Sequence, residues 1–327
     1  MTRRLSRFRI WCVGIAALIM APLALAPPAA AQSYPSHLVK IIVPFTAGSV
    51  TDIMARILAT ELSEKWGQNV IVENRPGISG TIAVAQAKPD GYTLMLTSNG
   101  HTVAGLVNKD LPFDPVRDFI GITRVCTAPY VMIVNPDVKA TSLKELIALA
   151  KSEPGKLNFS SPGLASSTFI GGALFRKAAG IDVVHVPYKG APESVLAVLR
   201  GEVQFYFAPI NLAKELAEAG KVRALAVLSA QRQAVLPGVP TAKEAGIDNY
   251  EVPVWYGLLA AAATPREIVG RVNQELNKAL ASADLKERLE AAGVEPMPST
   301  PERFAAFIRS EAVRFAKVIK DAGIKGE

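Results

Sequence analysis

Leu38-Val39-Lys40-Ile41-Ile42-Val43, followed at once by Pro44-Phe45-Thr46-Ala47-Gly48-Ser49-Val50-Thr51-Asp52, is the stretch from which the fold can be read. The first six residues have the β-branched composition of a buried strand, and Pro44, with no N–H to continue a ladder, stops it. From residue 52 to 66 the period changes, and Ile53, Ile57, Leu58 and Leu62 fall on one helical stripe. A buried strand passing through a short loop into an amphipathic helix is the repeating unit of an α/β protein. The chain repeats it. A second strand is expected at 69–73, closed by Asn74-Arg75-Pro76-Gly77, and Pro89-Asp90-Gly91 turns into a third at 92–97.

A second series begins near Tyr130, with strands expected at 131–134, 157–159, 183–186, 203–207 and 224–228. Helices are expected at 143–151, opened by the capping box Ser142-Leu143-Lys144-Glu145, at 167–179, and from Pro192 to Arg200. Residues 252–259 form an extended apolar run. Thr264-Pro265 and Thr300-Pro301 then read as N-cap and N1 pairs opening two terminal helices with no strand between them. Helices without strands cover an existing sheet, so the chain leaves one lobe, builds another and returns. The expected domains are 32–130 plus 255–327, and 131–254, joined by a two-strand hinge with crossings near 128–133 and 252–259. A cleft between two such lobes favours a small ligand.

The chain has 327 residues, half of them hydrophobic and a fifth charged, which excludes a disordered or collagen-like protein. Its net charge is +7, but Arg3, Arg4, Arg7 and Arg9 supply four of those charges and no acidic residue precedes Asp52. The basic balance is therefore a property of the N-terminus and no sign of nucleic-acid binding. A basic segment, an apolar run over 10–26 and the small residues Ala29-Ala30-Ala31 predict a cleaved signal peptide at 1–31, giving a soluble, exported chain from Gln32. Pro22, Pro27 and Pro28 interrupt the run below the ~20 residues of a membrane span. Ser6 and Arg7 stand where a twin-arginine signal wants apolar residues, and Cys12 lies in a poor context for a lipid anchor. Cys126 is then the sole cysteine, expected as a buried small hydrophobe without a disulfide.

Enzyme motifs come out negative. No HExxH, CxxC, GxSxG or Walker A pattern occurs, and His37, His101 and His185 lack metal-ligand spacing. No catalytic residue, metal or cofactor is expected. The positive signals are loops of small residues between strands and helices. In the first, Gly48 lets the backbone approach a ligand and Ser49 and Thr51 add hydroxyl donors; an anion-receptive helix start and an ordinary connection capped by Thr51 or Asp52 both fit. Ser160-Ser161-Pro162-Gly163-Leu164-Ala165-Ser166-Ser167-Thr168 repeats the arrangement with more hydroxyls than capping needs. One such loop on each lobe would suit a ligand with a carboxylate at each end, and neither contains arginine. Pro187-Tyr188-Lys189-Gly190-Ala191-Pro192 opens a third helix, with Lys189 read as a solvated loop lysine. Ser98-Asn99-Gly100-His101 fits polar contacts and a structural turn equally, and Trp255 and Tyr256 read as packing at a crossing.

Several ordered stretches resemble the substrate receptors of the tripartite tricarboxylate transporters, the Bug family. They are Tyr34-Pro35-Ser36, residues 41–52, Val72-Glu73-Asn74-Arg75-Pro76-Gly77, Pro89-Asp90-Gly91-Tyr92-Thr93, His185-Val186-Pro187-Tyr188-Lys189-Gly190, Leu225-Ala226-Val227 and Trp255-Tyr256-Gly257-Leu258-Leu259. The resemblance spans the expected mature chain. It implies a two-lobed α/β periplasmic-binding-protein fold of type II that closes on a small carboxylate and delivers it to a two-subunit membrane permease. It also implies that loops 44–52 and 160–168 hold the ligand's carboxylates. The candidate ligand residues are Phe45, Thr46, Ala47, Gly48, Ser49, Asp52, Ser98, Ser161, Gly163, Ser166, Ser167, Thr168, Tyr188, Ala191 and Pro209, with Asp52 expected mainly as a helix cap.

Departures from the family pattern bear on specificity. Ser49 stands where the first loop usually has a second glycine, and Phe169 where a histidine is frequent. Ala208-Pro209 replaces a frequent Asp-Asn, which argues against an amino-acid ligand, and with Phe45 and Phe169 it suits a di- or aromatic carboxylate that is apolar in its middle. The chain between Gly77 and Pro89 is about one helical turn shorter than usual. The alternatives are the same fold presenting its ligand to a membrane sensor kinase, an exported serine hydrolase, and the effector domain of a regulator. The last two lack, respectively, a recognisable nucleophile–base pair and a helix-turn-helix segment. Nothing in the sequence points beyond a monomer.

Overall fold

A computed structural model of the protein describes residues 34–108, 110–164, 166–248, 250–252 and 254–321. The expected signal peptide, with Cys12, lies outside the described residues, as do Ala165 of the second loop and Pro253 of the second crossing. Residues from His37 onward form one unit, which carries every element described here.

Strand β1 (Val39–Val43) feeds helix α1 (Val50–Trp66), β2 (Val70–Asn74) feeds α2 (Ile78–Ala85), and β3 (Thr93–Ser98) feeds α3 (Gly100–Val107). β1 is parallel to both β2 and β3, with Ile41 opposite Val72 and Leu94. β4 (Phe119–Ala128) then leads, after one residue, to β5 (Tyr130–Val134) in a second sheet. That sheet is built by α4 (Leu143–Ser152), β6 (Asn158–Ser161), α5 (Ser167–Ala179), β7 (Val184–Pro187), α6 (Ala191–Leu199), β8 (Phe205–Pro209), α7 (Ile210–Glu218) and β9 (Arg223–Val227). Its order is β7-β6-β8-β5-β9. β10 (Val254–Ala261) returns to the first sheet. The chain then adds α8 (Arg266–Leu280), α9 (Ala283–Ala291), β11 (Glu295–Pro296) and α10 (Pro301–Asp321), and the order there is β11-β4-β10-β3-β1-β2.

Each sheet has one internal strand that runs against its parallel set, and the short edge strand β11 does so too in the first. β10 is antiparallel to β3 and β4, and β5 is antiparallel to β8 and β9. Both are buried along their whole length, as expected of unbroken apolar runs in a sheet covered on two faces. Helix α10 lies directly on the first sheet because two glycines make room for Phe304. A Cβ on Gly121 would stand 2.6 Å from the Phe304 ring, and one on Gly257 would be closer still. Trp255 meets Phe304 edge-on at 5.5 Å. In the second sheet Phe159, Phe175, Phe205 and Phe207 form an aromatic cluster, and Gly172 lets α5 settle onto Phe159. Cys126 is fully buried, with its thiol pushed up by burial.

The structure corrects several sequence expectations. α1 begins at Val50 and not Asp52, and β4, α3 and α7 were not foreseen. β4 escaped because Gly121, Thr123, Arg124 and Thr127 break its apolar pattern. Three helices follow β10 where two were expected, and the short β11 lies among them. Pro265 and not Thr264 is the N-cap of α8, whereas Thr300 does accept the Arg303 N–H, at 3.3 Å.

Candidate ligand site

Parallel strands that feed helices all end on one edge of their sheet, and the turns at that edge present helix N-termini. Here the β1–α1, β2–α2 and β3–α3 turns of the first sheet face the β6–α5 and β7–α6 turns of the second. Residues of all five line one cavity of about 250 Å³. The two sides touch beside it, through an apolar cluster of α3 and α10 with Ile170 of α5 and through two closer contacts. Gly190 lies against Thr46, so that a Cβ there would stand 2.9 Å from the Thr46 side chain. The Ser167 hydroxyl donates to Asn99 Oδ1.

The start of α1 satisfies itself. Ser49 is the N-cap, its Oγ accepting the Asp52 N–H at 3.2 Å, and Asp52 reaches back to accept the Gly48 N–H at 3.0 Å. This reciprocal pair resembles a capping box, so the cap is Ser49 and not Thr51 or Asp52. Asp52 also pairs with Arg56 at 3.0 Å and accepts the Asn74 amide at 3.0 Å. Burial alone would raise its pKa, but hydrogen bonds from Arg56, Gly48 and Asn74 outweigh that and hold the carboxyl below its usual 3.8.

The start of α5 holds no acid in its first turn. Ser166 caps it, accepting the Phe169 N–H at 3.2 Å and donating to Gly163 O at 2.6 Å, with Thr168 Oγ1 3.1 Å away. Ser161 is engaged elsewhere: its Oγ lies 2.6 Å from His185 Nε2 and accepts the Gly163 N–H. The His185 ring stands 4.7 Å from that of Phe169, and burial pushes its pKa down to about 4. At α6, Gly190 offers no side-chain cap, and Glu193 accepts the Lys189 N–H at 3.1 Å. At α3, Asn99 occupies the N-cap position without making a cap bond.

Of the sequence-predicted residues, Phe45, Thr46, Ser49, Gly163, Ser166 and Ala191 line the cavity. Ala47 and Gly48 are exposed on the same loop, and Asp52, Ser161, Ser167 and Thr168 lie behind it in the bonds just described. Ser98 is buried at the end of β3, opposite Tyr256. Tyr188 donates to Glu202 at 3.4 Å, and Pro209 pairs with Tyr130 in the sheet; neither lines the cavity. Trp255 and Tyr256 are buried packing residues, with Tyr256 Oη 3.5 Å from Tyr130 Oη.

Sequence reasoning missed Ile78, Thr81, Thr97 and Phe113, all on the lining, and left His101, also there, in a stretch that fitted polar contacts and a structural turn equally. The signal for His101 was its place just after a strand, on a helix that the sequence did not reveal. Its Nε2 donates to Pro115 O at 2.8 Å, and burial pushes its pKa down to about 4, so the ring is neutral at ordinary pH. Lys189, exposed on the rim, is the one charged side chain among the described lining residues, and none of them is acidic.

Comparison with known proteins agrees with this architecture. The sequence matches the family described as "Tripartite tricarboxylate transporter family receptor" over residues 54–324. Protein BugT of Bordetella pertussis is 34% identical over 318 residues, 96% of this chain and 98% of that protein. Rpa4515 of R. palustris, solved with adipate, matches with a TM-score of 0.85 and 34% identity, covering 90% of this chain and 100% of that one. MatC (Rpa3494) from Rhodopseudomonas palustris, solved with bound malate, matches with a TM-score of 0.81 and 30% identity over 88% of this chain and 100% of that one. The fold is thus the two-lobed α/β fold of periplasmic solute-binding proteins, and the chain belongs to the tripartite tricarboxylate transporter receptor family, among the Bug proteins.

Proposed function

We propose that this receptor binds a small organic carboxylate in the cavity between its two sheets and delivers it, in the periplasm, to a two-subunit membrane permease. The observation that carries the reading is the lining: five helix starts converge on it, and among the described lining residues Lys189 is the one charged side chain and none is acidic. The first N–H groups of a helix have no partner within it and lie at the positive end of its dipole, so such a cavity favours an anion. The adipate and malate bound by Rpa4515 and MatC support an organic acid. Phe45, Phe113 and Leu164 support a ligand that is apolar in its middle.

Two lobes, 32–130 plus 255–327 and 131–254, would close about the β4–β5 and β10 crossings. A ligand that touches both lobes only when they are closed shifts the population toward closure. The basic and apolar N-terminal segments support export by a cleaved signal peptide. Among the described residues no helix is long and apolar enough to cross a membrane.

The test is a thermal-shift screen of residues 32–327, unfolded and refolded to strip bound ligand, against adipate, malate, benzoate, glutamate and glucose. A carboxylate at ~100 times its dissociation constant should stabilise the folded state by ~2.7 kcal/mol. Stabilisation by glucose alone would overturn the reading.

A further inference from the structure

We propose that Asn99 donates to the ligand's carboxylate, held in place by Ser167 from the other sheet, so that this end of the ligand sits where α3 and α5 begin. The proposal rests on the reading of the protein as a carboxylate receptor and says which helix starts do the binding.

Asn99 is fully buried. It occupies the N-cap position of α3, where asparagine is favoured because its side-chain oxygen can accept an N–H from the first turn. It makes no such bond. Its oxygen instead accepts the hydroxyl of Ser167, the first residue of α5. Ser167 is free to make this link because Ser166 already caps that helix. The Asn99 Nδ2 donor is left buried without a partner among the described residues. Buried donors are rarely left unmade, and one that lies against a helix N-terminus marks a place for an acceptor.

The charges around the cavity point the same way. The first turns of α1 and α6 already hold the carboxylates of Asp52 and Glu193, whereas those of α3 and α5 hold none. The start of α2 also holds no acid, but it brings no buried unpartnered side-chain donor, whereas the uncompensated positive ends of α3 and α5 meet at the Asn99–Ser167 pair. Asn99 and Ser167 stand behind the lining, to which their chain neighbours Thr97, Gly100 and His101 on one side, and Ser166 on the other, belong. A carboxylate placed there would take the Asn99 amide and the first N–H groups of α5 together. Because Asn99 and Ser167 belong to different sheets, the donor is in position only when the two are together.

Calorimetric titration with adipate, malate and benzoate tests this on the wild type and four variants. Asn99→Asp, which keeps size but replaces the donor with a like charge, should weaken the best of these probes at least 100-fold. Asn99→Ala should weaken it about tenfold. Ser167→Ala should cost several-fold, and Ser167→Thr, which keeps the hydroxyl, should restore the affinity. Melting without ligand shows which variants are folded, and Asn99→Ala carries the test if Asn99→Asp is not. Folded Asn99 variants that bind the probes as the wild type does would overturn the proposal and leave the receptor reading standing. A wild type that binds none of the three would remove that reading, and this proposal with it.

Discussion

At the start of α1, Ser49 and Asp52 exchange bonds, and the aspartate goes on to hold Arg56 and Asn74. At the start of α5, Ser166 caps in the same way, but the residue three places on is Phe169 and not an acid. The two loops look alike in sequence, both rich in small hydroxyl residues and glycine. Their electrostatics differ because of that third position. A carboxylate there occupies the positive end of the helix from within, and an apolar residue leaves it for a ligand. Small-residue loops therefore identify where backbone can approach a ligand, while the first-turn acids decide which of them still attracts one.

The sharpest way to break this contrast is to put a carboxylate at the start of α5, which has none. Ser166→Asp should keep the helix, since aspartate caps as well as serine. It should place a like charge beside the ligand's carboxylate, a cost of about 4 kcal/mol, or about a thousandfold in dissociation constant. Calorimetry on a carboxylate that binds the wild type reads this directly. Unchanged affinity would mean that the carboxylate is held at another helix start.

Periodicity explains what could be read beforehand. The strand–loop–helix unit at 38–66 and the buried runs of β5 and β10 declare themselves by composition, and so did the two-lobed fold. β4 did not, because Thr123 and Arg124 face neighbours that only the folded chain supplies: Thr123 Oγ1 bonds Asn277, 2.9 Å away, and Arg124 lies 4.7 Å over the Phe307 ring. The site was legible as loops and not as contacts. That Ser166 would cap and Ser167 would cross to Asn99 depends on which hydroxyl each backbone turn presents. His101 and Phe113 reach the cavity from elements whose place only tertiary packing sets.

Acid should separate the start of α3 from that of α1 as well. His101, beside Asn99 on α3, is neutral in the fold with a pKa of about 4 against 6.5 when free. Between those values the unfolded chain binds the proton and the folded chain does not. The stability owed to neutral His101 is thus intact above about pH 6.5 and lost as pH falls toward 4. At ~1.4 kcal/mol per unit this amounts to about 3 kcal/mol. Asp52 acts in a lower window: its folded pKa lies below 3.8, so its contribution is present above that value and lost only on further acidification. Urea unfolding at steps from neutral pH to about pH 4 should show a declining stability whose slope is reduced in His101→Gln. His185, also at about 4, titrates in the same window, and Glu73, Glu145 and Glu244, held below their usual 4.5 by hydrogen bonds, add to the remaining slope at its acid end. An unchanged slope in the variant would mean that His101 takes up its proton in the folded state as readily as in the unfolded one.

The smallest expected effect lies at α1 itself. Ser49→Ala removes the cap on the Asp52 N–H and should cost about 1 kcal/mol of stability, while Ser49→Gly, the residue usual in the family pattern, should cost only a few tenths because glycine is itself tolerated at an N-cap. Neither change touches the Asp52 pairs with Arg56 and Asn74. Affinity for a carboxylate should therefore move by less than about threefold in both, against the large loss at Ser166→Asp. Chemical unfolding and calorimetry on the same samples give the two numbers independently. If affinity fell in Ser49→Ala by as much as in the Asn99 variants, α1 would be holding the ligand despite its own carboxylate, and the first-turn acid would not be what distinguishes these helix starts.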